Sequence, residues 1–194
     1  MRSLIFATNN KNKVAEIRSV LDDGFEVISL KEAGIDIDIP EPHATLEENA
    51  LEKSKTIYGL TGKDCFSEDT GLEVSILNGE PGVRSARYAG DENNFKANIS
   101  KLLENLKGKE NRQAQFRTVI SLILSGNEYQ FEGICKGNII ENETGMGGFG
   151  YDAIFVPEGS ERSFGEMTME EKNMYSHRKK ATVKLIEFLK EPNG

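Results

Sequence analysis

The segment Gln113–Leu124 constrains the fold more than any other part of the chain. Ala114, Phe116, Thr118, Ile120, Leu122 and Leu124 recur at every second position, the period with which a strand turns one face to a core. Such a strand needs a partner. Tyr129–Glu141 supplies one across Ser125–Glu128, whose Gly126-Asn127 pair suits a hairpin turn. A long antiparallel hairpin must therefore be built into whatever sheet the chain forms.

The remaining segments mix helix and strand. Ser3–Thr8 is a short apolar run, read as a buried strand. Asn9–Lys13 follows, and then Val14, Ile17, Val20 and Leu21 share one helical face. A strand–loop–helix opening puts a ligand at the carboxyl end of the strand. Phe25–Leu30 reads as a second strand, and Gly34–His43 as an acidic loop with prolines. Thr45 and Glu48 have capping-box spacing, ahead of a helix whose buried stripe is Leu46, Ala50, Ser54 and Ile57. Cys65–Ile76 is strand-like but interrupted at Ser67–Gly71, which predicts a bulge or turn presenting side chains to a cleft. Gly79–Gly90 reads as loop, and Phe95, Ile99, Leu102, Leu103 and Leu106 mark a further helix. After the hairpin come the Gly-rich Gly145–Gly150, a short strand Tyr151–Val156, and a last helix Ser176–Lys190 with Ala181, Leu185 and Leu189 inward. The fold class is mixed α/β. A chain of 194 residues without internal repeats fits one domain, or one domain with two lobes.

Composition narrows the partners. Apolar residues make up 37% and charged residues 29%, as expected of a soluble protein with a core. No apolar run approaches the roughly 20 residues of a membrane span, and MRSLIFATNN lacks a signal-peptide cleavage site. The expected setting is cytoplasmic, with no membrane partner. Cys65 and Cys135 are the only cysteines and form no CxxC, so a zinc site is not expected. The net charge of −8 argues against a nucleic-acid partner, which demands a basic face. An acidic protein that binds an anion needs a metal ion or a local cationic pocket.

Two phosphate signatures fail. There is no GxxxxGK[ST]. Gly145–Gly150 matches GxGxxG, but it sits late in the chain and leads into a strand, which is the wrong context for a dinucleotide fingerprint. Its glycines predict a tight loop with Phe149 and Tyr151 exposed for stacking. Glu41, Glu68 and Asp69 could hold Mg²⁺, which prefers carboxylate oxygens and shares ligands with substrate phosphates. Taken singly, each is one of 32 acidic residues, most of which must simply be solvated. Lys13 and Lys53 could reach a phosphate, although a single lysine is more often a solvated helix face. Ser176 suits the N-cap of the last helix. His177 beside it is one of two histidines, and a lone histidine is more often structural than catalytic.

ATNNKNKVAEI, TLEENALEKS, SEDTGLEV, PGVRSARYAG, GGFGYDAIF and SHRKKA occur in this order along the chain. With these motifs the chain resembles the inosine-triphosphate pyrophosphatase family, also called dITP/XTP pyrophosphatases, over nearly its whole length. The resemblance implies an elongated, two-lobed mixed sheet with a central substrate cleft flanked by helices, usually in a homodimer. It implies a Mg²⁺-dependent hydrolase that converts ITP, dITP and XTP to the monophosphate and pyrophosphate. Thr8, Asn9, Asn10, Lys11, Asn12 and Lys13 would hold the triphosphate, with Lys53 and Thr70 against the phosphates. Glu41 and Asp69 would bind the metal, Asp69 also acting as the base for the attacking water. Phe149, Gly150, Tyr151 and Asp152 would form the base pocket, completed by Lys172, His177 and Arg178. The chain departs from the common pattern where Asn9 replaces a glycine, which asks for a positive φ at Asn9. It departs again where Glu68 replaces an aspartate, leaving its reach to the metal open. Pyrophosphatases of modified pyrimidines, and a non-catalytic nucleotide- or RNA-binding module, are the readings beside this one. The acidic charge weighs against the second.

Overall fold

The computed structural model describes residues 2–21, 24–90 and 94–191. Seven strands form one mixed sheet: β1 (Arg2–Phe6), β2 (Phe25–Ser29), β3 (Cys65–Val74), β4 (Pro81–Gly82), β5 (Gln113–Leu124), β6 (Asn127–Ile139) and β7 (Phe155–Pro157). The order is β2-β1-β3-β5-β6-β7, with β4 paired to β3. β1 runs parallel to β2 and β3, whereas β4 is antiparallel to β3 and β7 to β6. Among the described residues five α-helices accompany it: α1 (Lys11–Arg18), α2 (Leu46–Thr61), α3 (Phe95–Asn105), α4 (Met169–Asn173) and α5 (His177–Lys190).

The chain divides into two compact units. The first comprises 1–69, 118–133 and 178–194, and the second 70–117 and 134–177. In the first, Leu4, Phe6, Val14, Ile17, Phe66, Ile120, Ala181 and Leu185 form one buried cluster, and Ile5, Leu30, Ile57, Cys65 and Ile123 a second. In the second unit, Leu72, Ile99, Leu102, Leu106, Phe116, Ile139, Phe155 and Phe164 pack together. The α2 stripe read from sequence is buried as expected, and Thr45 accepts the Glu48 amide at 3.2 Å. Gly62 ends that helix at φ 63°, the left-handed cap that glycine adopts without strain.

Four expectations are corrected. β3 runs unbroken through Ser67–Gly71, because this is an interior strand buried on both faces and polar side chains there are paired rather than extruded. Gly71 serves close approach instead of a bulge: a Cβ there would lie 2.7 Å from the Gly82 carbonyl oxygen on β4. The hairpin turn is Ser125-Gly126, both with positive φ (50° and 84°), as a two-residue turn matched to strand twist requires. Asn127 therefore already belongs to β6. Among the described non-glycine residues only Asn78 and Ser125 have positive φ, so Asn9 needs no left-handed conformation. Tyr151–Val156 is not one strand: a 3₁₀ turn, Asp152–Ile154, precedes β7.

Candidate functional site

The first group of predicted residues lies in the first unit, where β1 hands over to α1. The Thr8 hydroxyl accepts the Asn10 amide at 3.2 Å. Asn10 caps α1, its side chain accepting the amides of Asn12 (3.0 Å) and Lys13 (3.2 Å). This folds Thr8–Asn10 into a tight turn that leads into the first turn of α1, where the positive end of the helix dipole favours an anion. Asn9, Lys11 and Asn12 are exposed there.

Alternation along β3 then separates Glu68 from Asp69. Successive side chains of a strand point to opposite faces. Cys65, Ser67 and Asp69 face α2: the Cys65 thiol reaches the Ser54 carbonyl at 3.3 Å, Ser67 donates to the Ala50 carbonyl, and Lys53 reaches Asp69. Phe66 and Glu68 face the other way, Phe66 stacking on Phe6 (4.5 Å between centroids, 8° between planes).

On the α2 face, the Lys53 ammonium donates to Glu41 Oε1 (2.6 Å) and Asp69 Oδ1 (3.3 Å). Asp69 Oδ2 is buried and accepts no hydrogen bond among the described residues. Burial pushes the Asp69 carboxyl up. Lys53 opposes this and Glu41 adds to it, leaving the group above its ordinary value. Burial works against the Lys53 ammonium too, but Asp69 and Glu41 outweigh it and raise the lysine. The loop that presents Glu41 is anchored next door, where the buried Asn49 amide accepts the His43 N–H (2.9 Å) and donates to the His43 carbonyl (3.2 Å).

On the opposite face, Glu68 has a different occupation from the metal contact the sequence allowed. Its Oε2 accepts from Arg178 Nε at 2.7 Å and its Oε1 from Arg178 Nη2 at 2.9 Å. Oε1 also lies 3.0 Å from the Lys13 ammonium. Arg178 Nη1 binds Glu16, a helix residue that sequence reading passes over as solvated but that is 4% exposed. Arg178, expected at the base, thus commits three nitrogens to two buried carboxylates.

The second group lies in the second unit. Asp152 accepts from the Lys172 ammonium (2.6 Å) and the Phe149 amide (2.9 Å). Gly148, at φ 74°, makes room for this, since a Cβ there would run into the Asp152 carboxylate. The Lys172 ammonium lies 5.0 Å from the Phe149 ring centroid and 5.2 Å from that of Phe164, a cation held against aromatic faces. His177 stacks on Phe116, 4.7 Å between centroids and 15° between planes. Thr144, Ser163 and Glu166 brace the Gly-rich loop: the Thr144 hydroxyl reaches Ser163 Oγ at 2.8 Å and Glu166 Oε2 at 2.9 Å. Capping boxes Ser163/Glu166 and Thr168/Glu171 open a 3₁₀ turn and α4, and their Ser/Thr-x-x-Glu spacing is visible in the sequence. Thr70 follows Asp69 on β3, half-buried, and Gly150 is half-buried with φ 63°.

Tyr151 is not exposed for stacking. It is 3% exposed and its hydroxyl donates to the Ser85 carbonyl at 2.8 Å. Tyr151→Phe is expected to lower stability by about 1 kcal/mol, the net worth of one such bond, and to leave ligand affinity unchanged. Paired urea unfolding and nucleotide titration check this, and a loss of affinity without a loss of stability would return Tyr151 to the site.

The first unit thus carries a helix-capped turn and a lysine shared by two carboxylates, groups that can meet an anion or a cation, and the second unit by itself carries a lysine–aspartate pair under an aromatic ring, groups that can meet a flat, polar-edged ligand. The chain matches the model of the Ham1 family over residues 4–188. It belongs to that family. It is 51% identical over 187 residues to a dITP/XTP pyrophosphatase of Flavobacterium psychrophilum, covering 96% of this chain and 98% of that one. Among solved structures it is similar to the Staphylococcus aureus Ham1 protein (TM-score 0.87, 37% identity, 97% and 98% of the two chains). A HAM1 protein from Coxiella burnetii is similarly close (TM-score 0.88, 34% identity, 97% and 98%).

Proposed function

We propose that this protein is a nucleoside-triphosphate pyrophosphatase that hydrolyses the non-standard purine nucleotides ITP, dITP and XTP to the monophosphate and pyrophosphate with Mg²⁺, clearing them from the nucleotide pool. The observation that carries the reading is the Glu41–Lys53–Asp69 centre, in which Asp69 Oδ2 is buried and accepts no hydrogen bond from the described residues. Curated relatives named dITP/XTP pyrophosphatase support the substrate class.

The donor set fits Mg²⁺. Among the described residues no group of three or more His, Cys, Asp and Glu is arranged to hold a metal. Mg²⁺ needs less, because it takes one or two carboxylates and keeps water and phosphate oxygens for the rest. Glu41 and Asp69 would hold it. When bound, it neutralises charge on the phosphates and lowers the pKa of its water. Water attacks the α-phosphorus, the bond to the β-phosphate oxygen breaks, and pyrophosphate leaves. Asp69 takes the proton from the water, as a carboxylate positioned beside the attacking group can. Lys53 fixes the Asp69 rotamer. The Lys13 ammonium and the polar side chains of the Thr8–Lys13 segment, with Asn9, Lys11 and Asn12 exposed on it, bind phosphate oxygens. Phe149 stacks on the base, and Lys172 and His177 donate toward a C6 carbonyl, which adenine lacks. The whole chain acts as one pyrophosphatase domain with two lobes, in the cytoplasm and as a homodimer.

Pyrophosphate release is the direct test. ITP, dITP and XTP are expected to be cleaved in preference to ATP, and chelation of Mg²⁺ to stop the reaction. Equal rates on ATP, or full activity in chelator, would overturn the proposal. A monomer in light scattering would remove the homodimer alone.

A further inference from the structure

We infer that Phe95 is a second aromatic contact for the nucleobase and helps select bicyclic bases over single rings; this rests on the base pocket proposed at Phe149. Phe95 is the first residue of α3, set by Asn94, which caps the helix by accepting the Ala97 amide at 3.1 Å. The apolar stripe of α3 is otherwise inward: Ile99, Leu102 and Leu106 are buried. Phe95, one turn before Ile99, is 39% exposed and is the one phenylalanine among the exposed large apolar side chains of the described residues. Its ring lies 6.4 Å from that of Phe149, with 50° between the planes.

This geometry suits a ligand rather than a core. Phe149 is half-buried, and the Lys172 ammonium is held over its ring. A base stacked on Phe149 is covered to the extent of one six-membered ring. The second ring of a purine extends beyond that cover, and a neighbouring aromatic side chain is what an apolar overhang can touch. A pyrimidine ends within the cover of Phe149 and gains little from Phe95. At 6.4 Å between centroids and 50° between planes the two rings are not stacked face to face, so their pairing does not itself use up the stacking surface of Phe149.

Binding of inosine monophosphate, measured by calorimetry, tests the inference independently of turnover. In Phe95→Ala the dissociation constant is expected to rise about tenfold, equivalent to roughly 1.4 kcal/mol and within the range of base–aromatic stacking. Uridine monophosphate binding should change far less. In the ITP reaction the same variant should raise KM by a similar factor, with kcat carrying little of the effect. Phe95→Trp should keep affinity, and its indole, the sole tryptophan of a chain that has none, should be quenched on binding. Inosine monophosphate affinity unchanged in Phe95→Ala, an equal loss for both monophosphates, or no quenching in Phe95→Trp would each overturn the inference, as would a wild-type protein that binds no inosine monophosphate. A wild-type protein that binds it but hydrolyses no triphosphate would sink the proposed function and leave the role of Phe95 standing.

Discussion

Asp69→Asn is expected to reduce pyrophosphate release by about 10²–10⁴-fold, the usual contribution of a positioned general base, while leaving the protein at least as stable as the wild type at neutral pH. The two halves of this result have one cause. Burial, with Glu41 adding, holds the Asp69 carboxyl above its ordinary pKa against the pull of Lys53. An acid whose folded pKa is raised binds more protons folded than unfolded. Stability is therefore lost as pH rises from the unfolded value, about 3.9, through the folded one, and the full penalty stands above both. Asparagine keeps the shape and carries no such penalty. Thermal midpoints from pH 4 to 8 should show the variant equal to wild type at the acid end and ahead of it at the neutral end. Near-normal turnover would remove Asp69 from the chemistry. A lower midpoint at pH 7 would show that Lys53 depends on the Asp69 charge more than the fold resists it.

The parts legible in the sequence were those fixed by local pattern. Alternation placed β5, and capping-box spacing placed the start of α2 to the residue; the face of Val14 and Ile17 located α1, although the helix starts earlier, at Lys11, where Asn10 caps it, and ends at Arg18, short of Val20 and Leu21. Glu68 and Asp69 show where local pattern stops. A polar, glycine-containing stretch reads as a break in a strand, because its side chains have no visible partners along the chain. The partners come from far away: Lys53 is 16 residues from Asp69, and Arg178 is 110 residues from Glu68. Once they are present, the stretch is an ordinary buried strand, and alternation sends its two acids to opposite faces. Glu16 was missed for the same reason, since nothing within one turn of α1 reveals that its partner is an arginine on α5. Tyr151 was misplaced because a tyrosine after a Gly-rich loop looks equally suited to stacking and to a core, and only the Ser85 carbonyl decides between them.

Arg178→Met is expected to cost about 3–5 kcal/mol, the price of leaving buried charge without its partner. That is a large share of the roughly 5–15 kcal/mol that holds a domain together. Glu16 and Glu68 are 4% and 2% exposed, and in the variant Glu68 would keep the Lys13 ammonium at 3.0 Å. The pH dependence identifies the cause. Burial pushes the Glu68 carboxyl up, but Arg178 and Lys13 outweigh it and hold the group well below the usual carboxylate range. A depressed folded pKa contributes stability that is present above the unfolded value, about 4.3, and is lost as pH falls through the folded one. The deficit of Arg178→Met in urea unfolding should therefore be largest near pH 7 and shrink below pH 4, where Glu68 takes up a proton in the variant. Replacing Glu16, Arg178 and Glu68 together by methionine should recover most of the stability, because the cost lies in uncompensated charge rather than in lost contacts. That triple variant should still turn over ITP poorly, since Glu68 would no longer hold the Lys13 ammonium beside the segment proposed to bind phosphate. Wild-type stability of Arg178→Met at pH 7 would show that its guanidinium is not what compensates the two carboxylates. Full activity of the triple variant would show that Lys13 finds the phosphate without them.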